Sequence, residues 1–132
     1  MRPRWPSATD ERGSAPVEFV LVGTLLTALT LAVLQLGLAV YVRNVLHDAA
    51  VEGAYHAALA DTSDAEGVDR TREVIARAIG ADYAQDVTVG ADEADGYPVV
   101  RITVRAPLPL IGLIGLPGTW EVTGSAPAES VD

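Results

Sequence analysis

The chain has 132 residues, 49% of them apolar and 20% charged, so it holds one domain and little besides once any membrane segment is subtracted. Eighteen acidic residues against nine basic ones, all arginine, give a net charge of -9 and argue against a nucleic-acid partner. The absence of cysteine excludes a disulfide framework, a thiol nucleophile and any thiolate metal site.

A charged leader, residues 1–13, carries Arg2, Arg4 and Arg12 beside Asp10 and Glu11. It is followed by 24 uncharged residues, Phe19 to Val42, interrupted only by Gln35 and scattered threonines. At helical rise that run spans about 36 Å, enough to cross a hydrocarbon core of about 30 Å, so residues 14–43 are expected to form one transmembrane helix. A cleavable secretory signal cut at Gly37-Leu38-Ala39 is the rival, but the apolar stretch exceeds the usual limit of roughly 15 residues for such signals. Arginines precede the run, whereas residues 44–132 hold 15 acidic and 5 basic side chains. The expected topology therefore has the N-terminus in the cytoplasm and residues 44–132 exported. Pro16 suits the first turn of a helix beginning at Ser14, where a missing N–H costs nothing.

Beyond Val42 the helical spacing continues through Leu46, Ala49, Ala50, Gly53, Ala54, Ala57 and Ala58 to about Ala60, a stalk whose small residues allow close approach of another element. Ser63-Asp64-Ala65-Glu66 reads as a capping box opening a second helix that ends near Gly80, with Val68, Val74, Ile75, Ala78 and Ile79 as its apolar face. The period then becomes two: Val87 and Val89, a turn at Asp95-Gly96, and Val100, Ile102 and Val104 predict a hairpin. Pro107 and Pro109 close its second strand, and Trp120, Val122 and Gly124 predict a third. The fold class is therefore α+β: a long N-terminal helix continuing as a stalk, a short helix and a small antiparallel sheet of about three strands. The apolar segment Leu108 to Leu116 is too short to span a bilayer. It either folds over the uncovered face of the small sheet or meets a partner or the membrane surface.

Asp48, Glu52 and His56 are spaced four apart and share a helix face, yet such spacing on an exposed helix is most often a solvated surface, and no HExxH pattern occurs. No metal site and no cofactor is expected. Neither a nucleophile elbow nor a phosphate loop nor a dinucleotide fingerprint is present, so the chain is not expected to be an enzyme. Within the apolar run, Gly23, Thr27, Thr30, Leu34 and Gly37 recur at spacings of four and three and are expected to form a helix-packing face.

One junction is out of pattern. In Arg12-Gly13-Ser14-Ala15-Pro16-Val17-Glu18-Phe19 a glycine closes the leader, and a carboxylate stands five residues later at the mouth of the apolar run. A carboxylate near the bilayer centre costs roughly 2.5 to 3.5 kcal/mol, and less at the edge, where Glu18 could be simply interfacial. Cleavage between Gly13 and Ser14 would instead create an ammonium on Ser14 that Glu18, of the same or a neighbouring subunit, could neutralise.

This arrangement resembles the processing site of type IV prepilins. Together with Leu46-His47-Asp48-Ala49-Ala50-Val51-Glu52-Gly53-Ala54, similar to an AA-x-EGA signature, and the closing strand Thr119 to Ala126, it identifies the chain as resembling TadE-like pseudopilins of the Tad, or Flp, pilus system. The resemblance extends over most of residues 12 to 126. It implies processing by a prepilin peptidase, association with other pilin-like or Tad pilus subunits and with membrane lipid, and a role in pilus assembly or secretion. The alternative is a single-pass membrane-anchored binding module without pilin-type processing.

Overall fold

The structure, a computed structural model, describes residues 2–3, 9–108 and 118–129. The chain forms helix α1 (Thr9–Ala58), helix α2 (Asp64–Ala78), a short 3-10 turn (Ala81–Ala84) and strands β1 (Asp86–Ala94), β2 (Tyr97–Pro107) and β3 (Thr119–Pro127). The architecture is the expected α+β one. Two compact units divide the chain, Met1–Leu36 and Gly37–Asp132.

The first unit is the apolar part of α1. Its large side chains stand open to their surroundings, from Phe19 at 79% to Leu31 at 56% exposure. Leucine and valine surround the axis on every side, the pattern of a helix whose solvent is lipid. The span from Gly13 to Ala58 is long and apolar enough to cross a membrane.

The start of α1 corrects one expectation. The helix begins at Thr9 rather than Ser14, so Pro16 lies inside it and not in its first turn. The proline's fixed φ is helical, and its cost is one missing N–H and crowding of the carbonyl four residues before it, that of Arg12.

The second unit is built around the remainder of α1. Val42, Leu46, Ala49, Ala50, Ala54, Ala57 and Ala58 are buried, and with Ile75, Val87, Ile102, Val104, Val122 and Ala126 they make the core. Helix α2 opens on the expected capping box: the Glu66 N–H donates to Ser63 Oγ at 3.3 Å, and the Ser63 N–H donates to Glu66 Oε2 at 2.6 Å. It closes when the N–H groups of Ile79 and Gly80 both reach the Ile75 carbonyl, with Gly80 at φ +109°. The stripe it buries is Gly67, Thr71 and Ile75. Val68, Val74 and Ile79 flank that stripe, whereas Ala78, expected on the apolar face, is exposed.

The strands form an antiparallel meander in the order β1-β2-β3, with Ile102 opposite both Val89 and Gly124. Asp95 and Gly96 both have positive φ, 53° and 82°, as a two-residue turn with the twist of its flanking strands requires. One face, with Ile102, Val104, Ala106, Val122, Gly124 and Ala126, is buried. The other carries buried Val99 and two ion pairs: Arg105 Nε reaches Glu121 Oε2 at 3.0 Å, and Arg101 Nη2 reaches Asp92 Oδ2 at 2.7 Å. Leu108 donates from its N–H to the Gly118 carbonyl at 3.0 Å, and the residues between, 109–117, lie outside the described residues.

Candidate functional site

The small residues of the α1 stalk set how closely the second unit can pack. A Cβ added to Gly53 would sit 2.7 Å from the Gly67 carbonyl oxygen and also meet Thr71 Oγ1, and one added to Gly67 would sit 2.7 Å from the Gly53 carbonyl oxygen. The two helices thus cross backbone to backbone. On the sheet side, a Cβ on Gly124 would meet the Ala50 carbonyl carbon at 2.6 Å and the backbone of Val51. Thr71, fully buried, donates its hydroxyl to the Gly67 carbonyl at 2.9 Å and so leaves no unmet polar group in the crossing.

Polar residues on the same stretch of α1 are committed to the fold. Arg70 donates to Glu52 Oε1 through Nε at 2.9 Å and Nη2 at 2.5 Å, and approaches Glu73 Oε2 at 3.5 Å. The Glu52 carboxylate, by hydrogen bond and by charge, holds the Arg70 pKa above its ordinary value. His47 places Nδ1 3.0 Å from the Thr123 carbonyl of β3. At the helix end, the Glu129 N–H caps the Ala58 carbonyl at 3.2 Å, and Glu129 Oε2 accepts from the Ala60 N–H at the same distance. Asp48, Glu52 and His56 share a face as their spacing requires, but Glu52 is engaged by Arg70. Among the described residues no group of three His, Asp or Glu is placed to hold a metal ion.

The junction residues lie on the first unit. Gly13, Ser14 and Glu18 are all helical and exposed, and among the described residues nothing beyond the adjoining helix backbone comes within 4 Å of the place a Gly13 side chain would take. Ser14 and Glu18 are four residues apart, hence neighbours on one helix surface. Gly23, Thr27, Thr30 and Leu34 are exposed on the same unit, and Gly37, also exposed, opens the second. Thr24, Thr27 and Thr30 each turn the hydroxyl back to the carbonyl four residues earlier, at 2.7 to 2.8 Å.

Comparison with protein-family models finds a match over residues 13–54 to the family described as TadE-like protein. The chain carries a TadE-like segment. That segment opens on Gly13, takes in Glu18 and the whole uncharged run, and closes on Glu52-Gly53-Ala54. Two of the three features behind the resemblance fall inside it, while the strand Thr119 to Ala126 lies beyond it. No curated protein and no solved structure matches the chain. The matched stretch includes most of the helix that is long and apolar enough to cross a membrane.

Several residues at the helix and sheet contacts escape sequence reasoning. Gly67 had one signal, a glycine in a helix interior, which often marks close packing. Thr71, Gly124 and the Arg70 partner of Glu52 had none, since each is defined by a residue distant in sequence. Trp120 Nε1 is buried without a hydrogen-bond partner among the described residues.

Proposed function

We propose that the chain is a minor pseudopilin-like protein of Tad or type IV-like pilus assembly or secretion, not an enzyme, held in the cell membrane with its N-terminus in the cytoplasm. In this reading a prepilin peptidase removes the leader between Gly13 and Ser14, and the mature protein joins other pilin-like subunits. The observation that carries it is the position of the TadE-like match, which starts at Gly13 and includes the out-of-place carboxylate of Glu18. Intact mass or N-terminal sequencing of membrane-extracted protein tests it. A mature start at Ser14 is expected, whereas an uncut leader in a strain with active prepilin peptidase, or a start at Val40, overturns it.

Glu18 has a role of its own in this proposal. The Ser14 ammonium, once formed at the edge of the apolar phase, is costly without an opposite charge, and Glu18 of an adjacent subunit supplies one. Glu18→Gln should leave insertion and cleavage intact while weakening co-purification with other pilin-like subunits enough to appear as failed assembly. Normal pilus formation in that strain would exclude the charge pairing, and would favour an anchored binding module if the leader also stayed uncut. Gly23, Thr27, Thr30, Leu34 and Gly37 supply the helix-packing face, because small residues permit close backbone approach where lipid gives no hydrophobic drive. Cysteines at 23, 30 and 37 should cross-link more efficiently than those at 25, 29 and 36.

A further inference from the structure

The two edges of the sheet are finished differently. The Ala128 N–H donates to the Pro98 carbonyl at 3.0 Å, so the even-numbered residues of β2 turn their backbone groups toward β3. Alternation along an antiparallel ladder then turns the odd-numbered residues of β2 toward β1, where the register pairs them with Asp86, Thr88, Gly90, Asp92 and Ala94. The backbone groups that face outward are therefore those of Thr119, Glu121, Thr123 and Ser125 on β3, and of Val87, Val89, Ala91 and Glu93 on β1. On the β3 edge, His47 of α1 takes the Thr123 carbonyl. On the β1 edge, the Asp92 carboxylate takes the Glu93 N–H at 2.8 Å, and Val87 is buried. Between these two, among the described residues, no hydrogen bond from beyond the sheet reaches the N–H and C=O groups of Val89 and Ala91.

Gly90 stands between those two residues without a use inside the fold. Its φ is not positive, and the pairing runs through it without a bulge. Beyond its two chain neighbours, no described residue comes within 4 Å of a Cβ added there, whereas Gly53, Gly67 and Gly124 each admit a neighbouring backbone. A glycine in mid-strand weakens the strand, and often marks a place where another backbone comes close. On the core-facing side of β1, Val89 is half-buried and Ala91 exposed, an apolar border that an added strand could extend. The opposite side carries Asp86 and Asp92, with Glu93 alongside, and the strand has no basic residue. A second β1 would set these carboxylates against their own kind, which is unfavourable across paired strands. A long basic side chain opposite Gly90 would instead find open space over the glycine, with Asp92 as its neighbour on that face.

We propose that the open edge of β1, from Val89 to Glu93, is a docking site for an extended segment of a partner protein, which joins the sheet as a further strand with apolar residues opposite Val89 and Ala91 and an arginine or lysine opposite Gly90. Main-chain bonds supply the hold, and the alternate side chains supply the choice of partner. The inference concerns the second unit alone and is independent of leader cleavage. The test uses the full chain in detergent micelles and a short peptide, acetyl-Ser-Thr-Val-Arg-Val-Thr-Ser-amide. Amide hydrogen exchange followed by NMR should show Val89 and Ala91 newly protected on peptide addition, with Gly90, already bonded to β2, little changed. Methylating the backbone nitrogens of both valines in the peptide removes the donors that face the edge, and should weaken binding by about tenfold or more. Ala91→Pro removes one outward N–H and no ladder bond, so the unfolding transition should stay in place while the peptide is lost. Gly90→Val should leave the unit at least as stable, since β-branched residues suit strands, and still weaken the peptide. No protection of Val89 and Ala91, or protection that survives the N-methylation, overturns the docking edge. Equal binding of a peptide with glutamate in place of arginine overturns the basic partner, and equal protection by a peptide copying Asp86–Ala94 would overturn it in favour of a second copy of this chain.

Discussion

Two stretches of α1 use similar residues to opposite ends. From Phe19 to Leu36 the helix carries leucine, valine and threonine around its whole circumference, and every large side chain is open. From Leu46 to Ala58 it carries alanine and glycine on one side, and that side is shut in by α2 and the sheet. Hydrophobicity alone would rank the first stretch as the better core. What buries the second is smallness: alanine and glycine let neighbouring backbones come within contact distance, so many weak dispersion contacts replace a few large side chains. Bulk thus serves the part whose solvent is lipid, and fit serves the part that must fold in water.

That contrast is most severely tested by adding bulk. Gly53→Val forces side-chain atoms onto the Gly67 carbonyl and Thr71, and should destabilise the second unit by about 3 kcal/mol or more, because backbone cannot step aside as a side chain can. Gly23→Val, with no other element among the described residues within 4 Å of the added Cβ, should leave the same unfolding transition in place. Thermal unfolding of the full chain in detergent, followed by near-ultraviolet circular dichroism, reads both. Removing bulk sharpens the same point: Ile102→Ala, at a fully buried site, should cost about 2 to 5 kcal/mol, while Leu29→Ala should not move the transition.

Smaller effects belong to the helix that closes over the stalk. Ser63→Ala should cost about 1 kcal/mol by leaving an N-terminal N–H of α2 without its acceptor. The backbone bond from Ser63, and then its hydroxyl, hold the Glu66 pKa below the usual glutamate value. On acidification the unfolded chain therefore takes up this proton first, so the stabilisation is complete at neutral pH and is lost as pH falls through the lowered folded value. Glu66→Gln should flatten that part of the acid dependence of unfolding. Last comes Glu52→Gln, which breaks an exposed pair with Arg70 and should cost under about 1 kcal/mol, an effect that vanishes in high salt.

Local features were readable because their causes are local. Ser63 and Glu66 are three residues apart and satisfy each other's backbone, Asp95-Gly96 can take the positive φ its turn needs, and alternation fixes which face of β2 turns inward. Gly13 and Glu18 drew notice because each is out of place beside an apolar run. The start of α1 could not be read from Pro16, because a proline is as compatible with an interior helical φ as with a first turn. The meeting of Gly53 with Gly67, of Gly124 with Ala50, and of Glu52 with Arg70 was invisible, since composition names residues that can approach closely but not their partners.

The threonines of the apolar run conceal their own polarity. With the hydroxyls of Thr24, Thr27 and Thr30 each bound to a carbonyl one turn back, what they turn outward is chiefly a methyl group, and the desolvation that a free hydroxyl would suffer in hydrocarbon is settled inside the helix. A neighbouring helix that docks along Gly23 and Thr27 would therefore meet a corrugated hydrocarbon relief and would recognise contour instead of donors and acceptors. Valine, isosteric with threonine, should be accepted at position 27 with little change in that association, whereas leucine, which fills the hollow above Gly23, should not.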